Sequence, residues 1–147
     1  MYQRILVPTD GSKLSAKAVE HALQLADITG AELVALRVIS RMPQNYFEGG
    51  MALDVDDSQR IESGWVQQAQ TQLDHIKSLG QQRQVKVKTQ IVRSDLVAES
   101  IIAAAKRSKC DLVLMASHGR KGLKRLLLGS ETQHVLTHSH IPVLVLR

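Results

Sequence analysis

Short aliphatic runs alternate with helical stripes along this chain, and that alternation limits the fold more than any other feature. Residues 5–8, 33–39, 112–116 and 143–146 are nearly continuous in Val, Leu, Ile and Ala. Such runs suit parallel strands covered by helices on both faces. Between them, Ala18, Val19, Ala22, Leu25 and Ala26 form one helical stripe, stopped by Gly30. Val66, Ala69, Leu73, Ile76 and Leu79 form a second, with Gly80 as its expected stop. Val97, Ile101, Ile102 and Ala105 form a third, and Val135 and Leu136 belong to a short fourth, ended before Pro142. Val85, Val87, Thr89 and Ile91 alternate with Lys86, Lys88 and Gln90, the pattern of a half-exposed strand whose lysines suit a sheet edge. The order β-α-β-α-β-α-β-α-β predicts a right-handed, doubly wound parallel sheet.

With 147 residues and no linker or repeat, residues 1–147 are expected to form one domain. Aromatic residues are confined to Tyr2, Tyr46, Phe47 and Trp65, so no base-stacking surface can be built and nucleic acid is a disfavoured partner. Cys110 stands alone and reads as a small buried hydrophobe. The first apolar run is too short for a signal peptide, and nothing approaches the ~20 apolar residues of a membrane span. The cytoplasm is therefore the expected compartment. The net charge of +5 fits an anionic partner without naming one. Residues 41–57, which carry Pro43, Gly49, Gly50, Asp54, Asp56 and Asp57, read as a long loop.

In open α/β sheets, ligands bind beyond the carboxyl ends of the strands, near the switch in strand order. That rule selects Pro8-Thr9-Asp10-Gly11-Ser12, Val38-Ile39-Ser40 and Ser117-His118-Gly119. The last is followed after nine residues by Gly129-Ser130, with Arg120, Lys121, Lys124 and Arg125 between. Glycines admit phosphate oxygens to backbone N–H groups, and a helix opening at Ser130 would favour an anion. A bland reading stands beside this one, because Ser130-Glu131-Thr132-Gln133 is also a capping box. Asp10 likewise could serve a ligand, or form an Asx turn and cap the first helix. Neither G-x-G-x-x-G nor G-x-x-x-x-G-K-[ST] occurs.

These residues resemble the universal stress protein (UspA-like) family. The resemblance runs through Arg4-Ile-Leu-Val-Pro-Thr-Asp-Gly-Ser12, Ala98-Glu99-Ser100-Ile101, Leu112-Val-Leu-Met-Ala-Ser-His-Gly119, Leu126-Leu-Leu-Gly-Ser130, His138 and Pro142-Val-Leu-Val-Leu146. It implies a five-stranded, Rossmann-like sheet of the adenine nucleotide alpha hydrolase-like kind. It also implies a homodimer paired through the C-terminal strands and, in one subgroup, binding of ATP with Mg²⁺. Pro8, Thr9 and Asp10 would contact adenosine or ribose, Asp10 also approaching the metal. Val38 would bond adenine through its backbone and Met115 would line the base pocket. Gly119, Arg120, Gly129, Ser130 and Glu131 would surround the phosphates.

The chain departs from the ATP-binding subgroup's pattern at three places. Ala116 replaces the first glycine of G-x2-G-x9-G-[ST], which is tolerable at negative φ and clashes at positive φ. Asp95-Leu96-Val97 stands where many relatives carry Gly-x-Pro, and the Glu131 carboxylate would oppose phosphate unless Mg²⁺ intervenes or the side chain turns outward. Two hypotheses follow: a nucleotide-binding stress or signalling module, or a nucleotide-free dimeric interaction protein of the same fold. A third, nucleic-acid binding through basic clusters at 106–109 and 120–125, predicts a steep salt dependence. His134, His138 and His140 have metal-compatible spacing but no obvious further ligand, and His118 could touch phosphate or pack on the sheet end. No nucleophile–base–orienter set is present, so any ATP hydrolysis would be slow.

Overall fold

In the computed structural model, which describes residues 1–41, 55–120 and 127–147, the aliphatic runs form one five-stranded parallel sheet. The elements are β1 (Arg4–Pro8), α1 (Lys13–Thr29), β2 (Glu32–Ile39), α2 (Val55–Gln82), β3 (Val87–Arg93), α3 (Val97–Arg107), β4 (Leu112–Ala116), α4 (Ser130–His138) and β5 (Val143–Leu146). The spatial order is β3-β2-β1-β4-β5, so the order reverses between β1 and β4.

Alternating strand residues serve two cores. Ile5, Val7, Leu33, Ala35, Leu112, Leu114 and Ala116 meet α1 and α2 on one face. Leu6, Val34, Leu36, Val113 and Met115 meet α3 and α4 on the other. Full burial of one such Leu side chain contributes roughly 1.5–3 kcal/mol, which explains why β1, β2 and β4 read as nearly continuous apolar runs. Cys110 packs in the second core, and burial pushes its thiol up to about 11, as fits an inert small hydrophobe.

β3 is an edge, as its lysines suggested, but those lysines are partnered. Glu32 takes Lys86 at 2.6 Å, Lys88 at 3.2 Å and Arg4 at 3.0 Å. Lys86 and then Lys88 hold the Glu32 carboxyl down at about 2.

Two expected boundaries are corrected. α2 starts at Val55, so Asp56 and Asp57 lie in its first turn, where carboxylates suit the helix dipole, and not in a loop. Residues 42–54, the bulk of the expected loop, lie outside the described residues. α2 also runs past Gly80 to Gln82. Gly80 is a contact and not a stop: a Cβ there would collide with the Val87 side chain and sit 2.9 Å from the Val85 carbonyl. The turn is made beyond it, where Gln84 takes φ 58° and Val85 N–H donates to Gly80 O at 2.9 Å. Gly30 does end α1, at φ 72°.

Candidate functional site

Where β1 leaves the sheet, its chain folds back on itself through side chains. Ser12 N–H donates to Asp10 Oδ1 at 2.9 Å, closing an Asx turn around Gly11 at φ 79°. Ser12, not Asp10, caps α1, its Oγ accepting Ser15 N–H at 3.2 Å. Asp10 can therefore reach across to β4, and its Oδ2 accepts Arg120 N–H at 2.7 Å. A Cβ on Gly119 would collide with that oxygen, so the glycine permits the contact between the β1 and β4 ends. Burial raises the Asp10 pKa, but hydrogen bonds from Ser12 and Arg120 outweigh it and hold the carboxyl below its usual range.

The second half of the motif is anchored just as tightly. Gly129 N–H donates to Ser117 O at 2.8 Å, and the buried Thr132 Oγ1 donates to Ala116 O at 2.9 Å. The expected capping box does not form. Gly129 is the N-cap of α4 and Ser130 its first residue, with no side-chain cap. Among the described residues no side chain caps the first-turn N–H groups of α4, which leaves them to an external acceptor.

Two of the three departures resolve here. Ala116 is absent from the positive-φ residues and its methyl packs into the α1/α2 core, so it causes no backbone clash. The Glu131 carboxylate turns to α3, accepting Ala98 N–H at 2.8 Å. It caps a helix whose own N-cap, Leu96, contributes no side-chain bond. At the third departure, Asp95 Oδ1 accepts Arg41 N–H at 2.9 Å.

Hydrogen-bond direction identifies an open stretch of backbone beside this closure. Thr9 N–H donates to Leu36 O at 2.9 Å on the β1 side of β2. Ser94 N–H donates to Ile39 O at 2.9 Å on the β3 side. With the strand's period of two, Val38 presents its N–H and C=O on the Leu36 side. β1 has already ended there, since its last pair is Pro8 with Leu36. The side chains of Val38 and Met115 both pack toward α3 and α4, and strand alternation puts Pro8 on that face too. A planar hydrogen-bonding ligand could dock against Val38 with apolar cover from its neighbours.

With these features together, the whole chain, residues 1–147, matches the model of the Universal stress protein family. The chain belongs to the universal stress protein family. Universal stress protein MJ0531 of Methanocaldococcus jannaschii is 33% identical over 100% of this chain and 83% of its own length. MJ0577 of the same organism is 30% identical, covering 100% of this chain and 96% of its own. The solved structure of MJ0577 superposes with a TM-score of 0.83 over 99% of this chain and 96% of that one. A universal stress protein from Archaeoglobus fulgidus in complex with dAMP shares the fold at 16% identity, with a TM-score of 0.67 over 99% of this chain and 98% of that one.

The other candidates fall elsewhere. Ser117 Oγ lies 3.2 Å from His118 Nδ1. His134 and His138 stack at 4.3 Å, His134 facing Glu99 at 3.5 Å. Among the described residues no group of three or more His, Cys, Asp or Glu could hold a metal, and no helix is long and apolar enough to cross a membrane. Lys121, Lys124, Arg125 and Leu126 lie outside the described residues. Two polar residues at the site belong to none of the motifs legible in the sequence. Arg37 reaches Thr9 O at 3.3 Å, and Gln72 reaches the same strand end from α2. Arg37 had one visible signal, a lone charge inside the aliphatic run 33–39.

Proposed function

We propose that this universal stress protein binds an adenine nucleotide, ATP with Mg²⁺, over the carboxyl ends of β1, β2 and β4. The observation that carries this reading is the backbone edge of Val38, unpaired among the described residues, which can recognise the adenine edge through one N–H and one C=O. Pro8 and Met115 would cover the base, Thr9 would meet the ribose, and Gly119, Arg120, Gly129 and Ser130 would cradle phosphate with main-chain N–H groups. Glu131 contributes there through its backbone only, because its carboxylate caps α3. Asp10 fits a magnesium ligand in its chemistry: it is ionised, and each oxygen retains a lone pair beyond its one hydrogen bond. Binding of dAMP by a protein of this fold supports the nucleotide class. A ligand of this kind points to a cytoplasmic, stress- or signalling-linked module.

Thermal melting with and without MgATP tests the reading. Ligand at about a hundred times its Kd adds ~2.7 kcal/mol, or roughly 5–10 °C for a chain of this size. No shift at millimolar MgATP, with no nucleotide released on unfolding the purified protein, overturns it. The nucleotide-free interaction protein would then be the surviving reading.

The assembly we infer is a homodimer through β5. This strand is a sheet edge and exposes Leu144, the kind of edge that recruits a second strand. A monomer by light scattering at micromolar concentration would refute it.

A further inference from the structure

We propose a phosphoryl-binding subsite on the α1/α2 face of the sheet, formed by Arg37, Gln72 and Arg120 around Gly11. It lies across the sheet from Val38 and Met115. Four observations carry it. Arg37 points into this face from the end of β2, with one contact to Thr9 O and, among the described residues, a buried Nε without a partner. Gln72 Oε1, from α2, is likewise buried without a partner among the described residues, and its amide turned end for end would offer N–H there. Gln72 Nε2 and Arg120 Nη2 converge over Gly11, lying 2.6 and 2.7 Å from where a Cβ would stand. Finally, the cations outnumber the anion. Burial and then Arg120 disfavour the charge on Arg37, and among the described residues Asp10 is the one carboxylate favouring it, with both oxygens already taking backbone N–H groups.

Leaving the buried Nε–H of the half-buried Arg37 without an acceptor is costly, and the exposed Arg120 beside it adds like charge. A phosphoryl dianion supplies acceptors matched to guanidinium geometry and neutralises the excess charge. It could be the terminal phosphoryl of a bound triphosphate or free inorganic phosphate. The first source rests on the adenine nucleotide reading; the second does not.

Calorimetric titration separates the sources. Orthophosphate, tripolyphosphate, AMP and MgATP are titrated into the wild type, Arg37→Gln, Arg37→Lys, Gln72→Leu and the Lys13→Gln/Lys17→Gln pair. The last variant controls for the separate basic cavity formed by Lys13, Lys17, His118 and Arg147. Wild type is expected to bind tripolyphosphate, and Arg37→Gln to lose about tenfold or more, the usual scale for a charged hydrogen bond. Gln72→Leu should weaken binding less and Arg37→Lys should partly restore it. AMP affinity should be unchanged in Arg37→Gln. If the nucleotide is the source, its ATP-to-AMP preference should fall about tenfold; if free phosphate is, orthophosphate binding falls and that preference stays. Melting curves confirm that each variant folds, and Gln72→Leu is the readout if Arg37→Gln does not. The subsite is overturned if no polyphosphate or phosphate binds, if Arg37 and Gln72 variants bind as wild type, or if the Lys13/Lys17 pair alone abolishes binding. Loss of phosphate binding in Arg37→Gln, with AMP and MgATP never binding, would sink the nucleotide reading and keep this one.

Discussion

The Glu131 carboxylate accepts the Ala98 N–H at 2.8 Å, so an acid in the first turn of α4 caps α3. A negative charge that the motif spacing directs toward phosphate is thereby committed to a neighbouring helix.

Glu131→Ala should consequently cost stability rather than affinity. Loss of a cap costs about 1 kcal/mol, so Tm should fall by ~2–4 °C. The MgATP-induced shift should survive. A variant that melts as wild type but binds nucleotide more tightly would show that the carboxylate faces the phosphates instead.

Gly119→Ala should act in the opposite sense. Its methyl collides with Asp10 Oδ2 and displaces the Arg120 N–H bond, so nucleotide binding should fall at least tenfold. Retained affinity, measured by calorimetry, would contradict the closure described. Ala116→Gly, which restores the family's first glycine, should leave affinity unchanged. It should cost about 1 kcal/mol, because the methyl it removes lies in the α1/α2 core.

Gly80→Ala tests the close approach of α2 to β3. Overpacking of this kind costs about 1–3 kcal/mol, although alanine is the better helix former. Chemical denaturation should show destabilisation; a gain in stability would mean that Gly80 is an ordinary helical glycine.

Glu32 gives a pH signature. Its folded pKa of about 2 lies below the ordinary 4.5, so the folded state favours the ionised form. Its contribution is present above about 4.5 and is lost as pH falls toward about 2. Stability curves of wild type and Glu32→Gln should differ at neutral pH and converge on acidification. Salt should shrink the difference, since Lys86 and Lys88 are largely exposed. Parallel curves across that window would remove Glu32 as an acid-sensitive tie.

The fold was legible because burial on both faces leaves a plain trace, a run such as Leu112–Ala116 with no polar residue. Gly80 misled because a glycine required by close approach and one required by a left-handed turn look alike in sequence. The family resemblance and motif spacing named Asp10, Gly119 and Gly129, since nearby chain segments must turn and meet there. Glu131 was ambiguous because its partner, Ala98, is set by how α3 packs on α4. Arg37, Gln72 and Arg120 come from three separate segments, and no local pattern announces their convergence.

The Val38 edge has a consequence for how such proteins diverge. A contact made by main-chain N–H and C=O carries no side-chain identity. Position 38 can drift among residues that fit the strand without altering what its backbone offers a ligand. Sequence distance between relatives at this position is thus a poor measure of distance in ligand preference, whereas a one-residue insertion earlier in β2 would turn the same groups toward β3 and erase the contact.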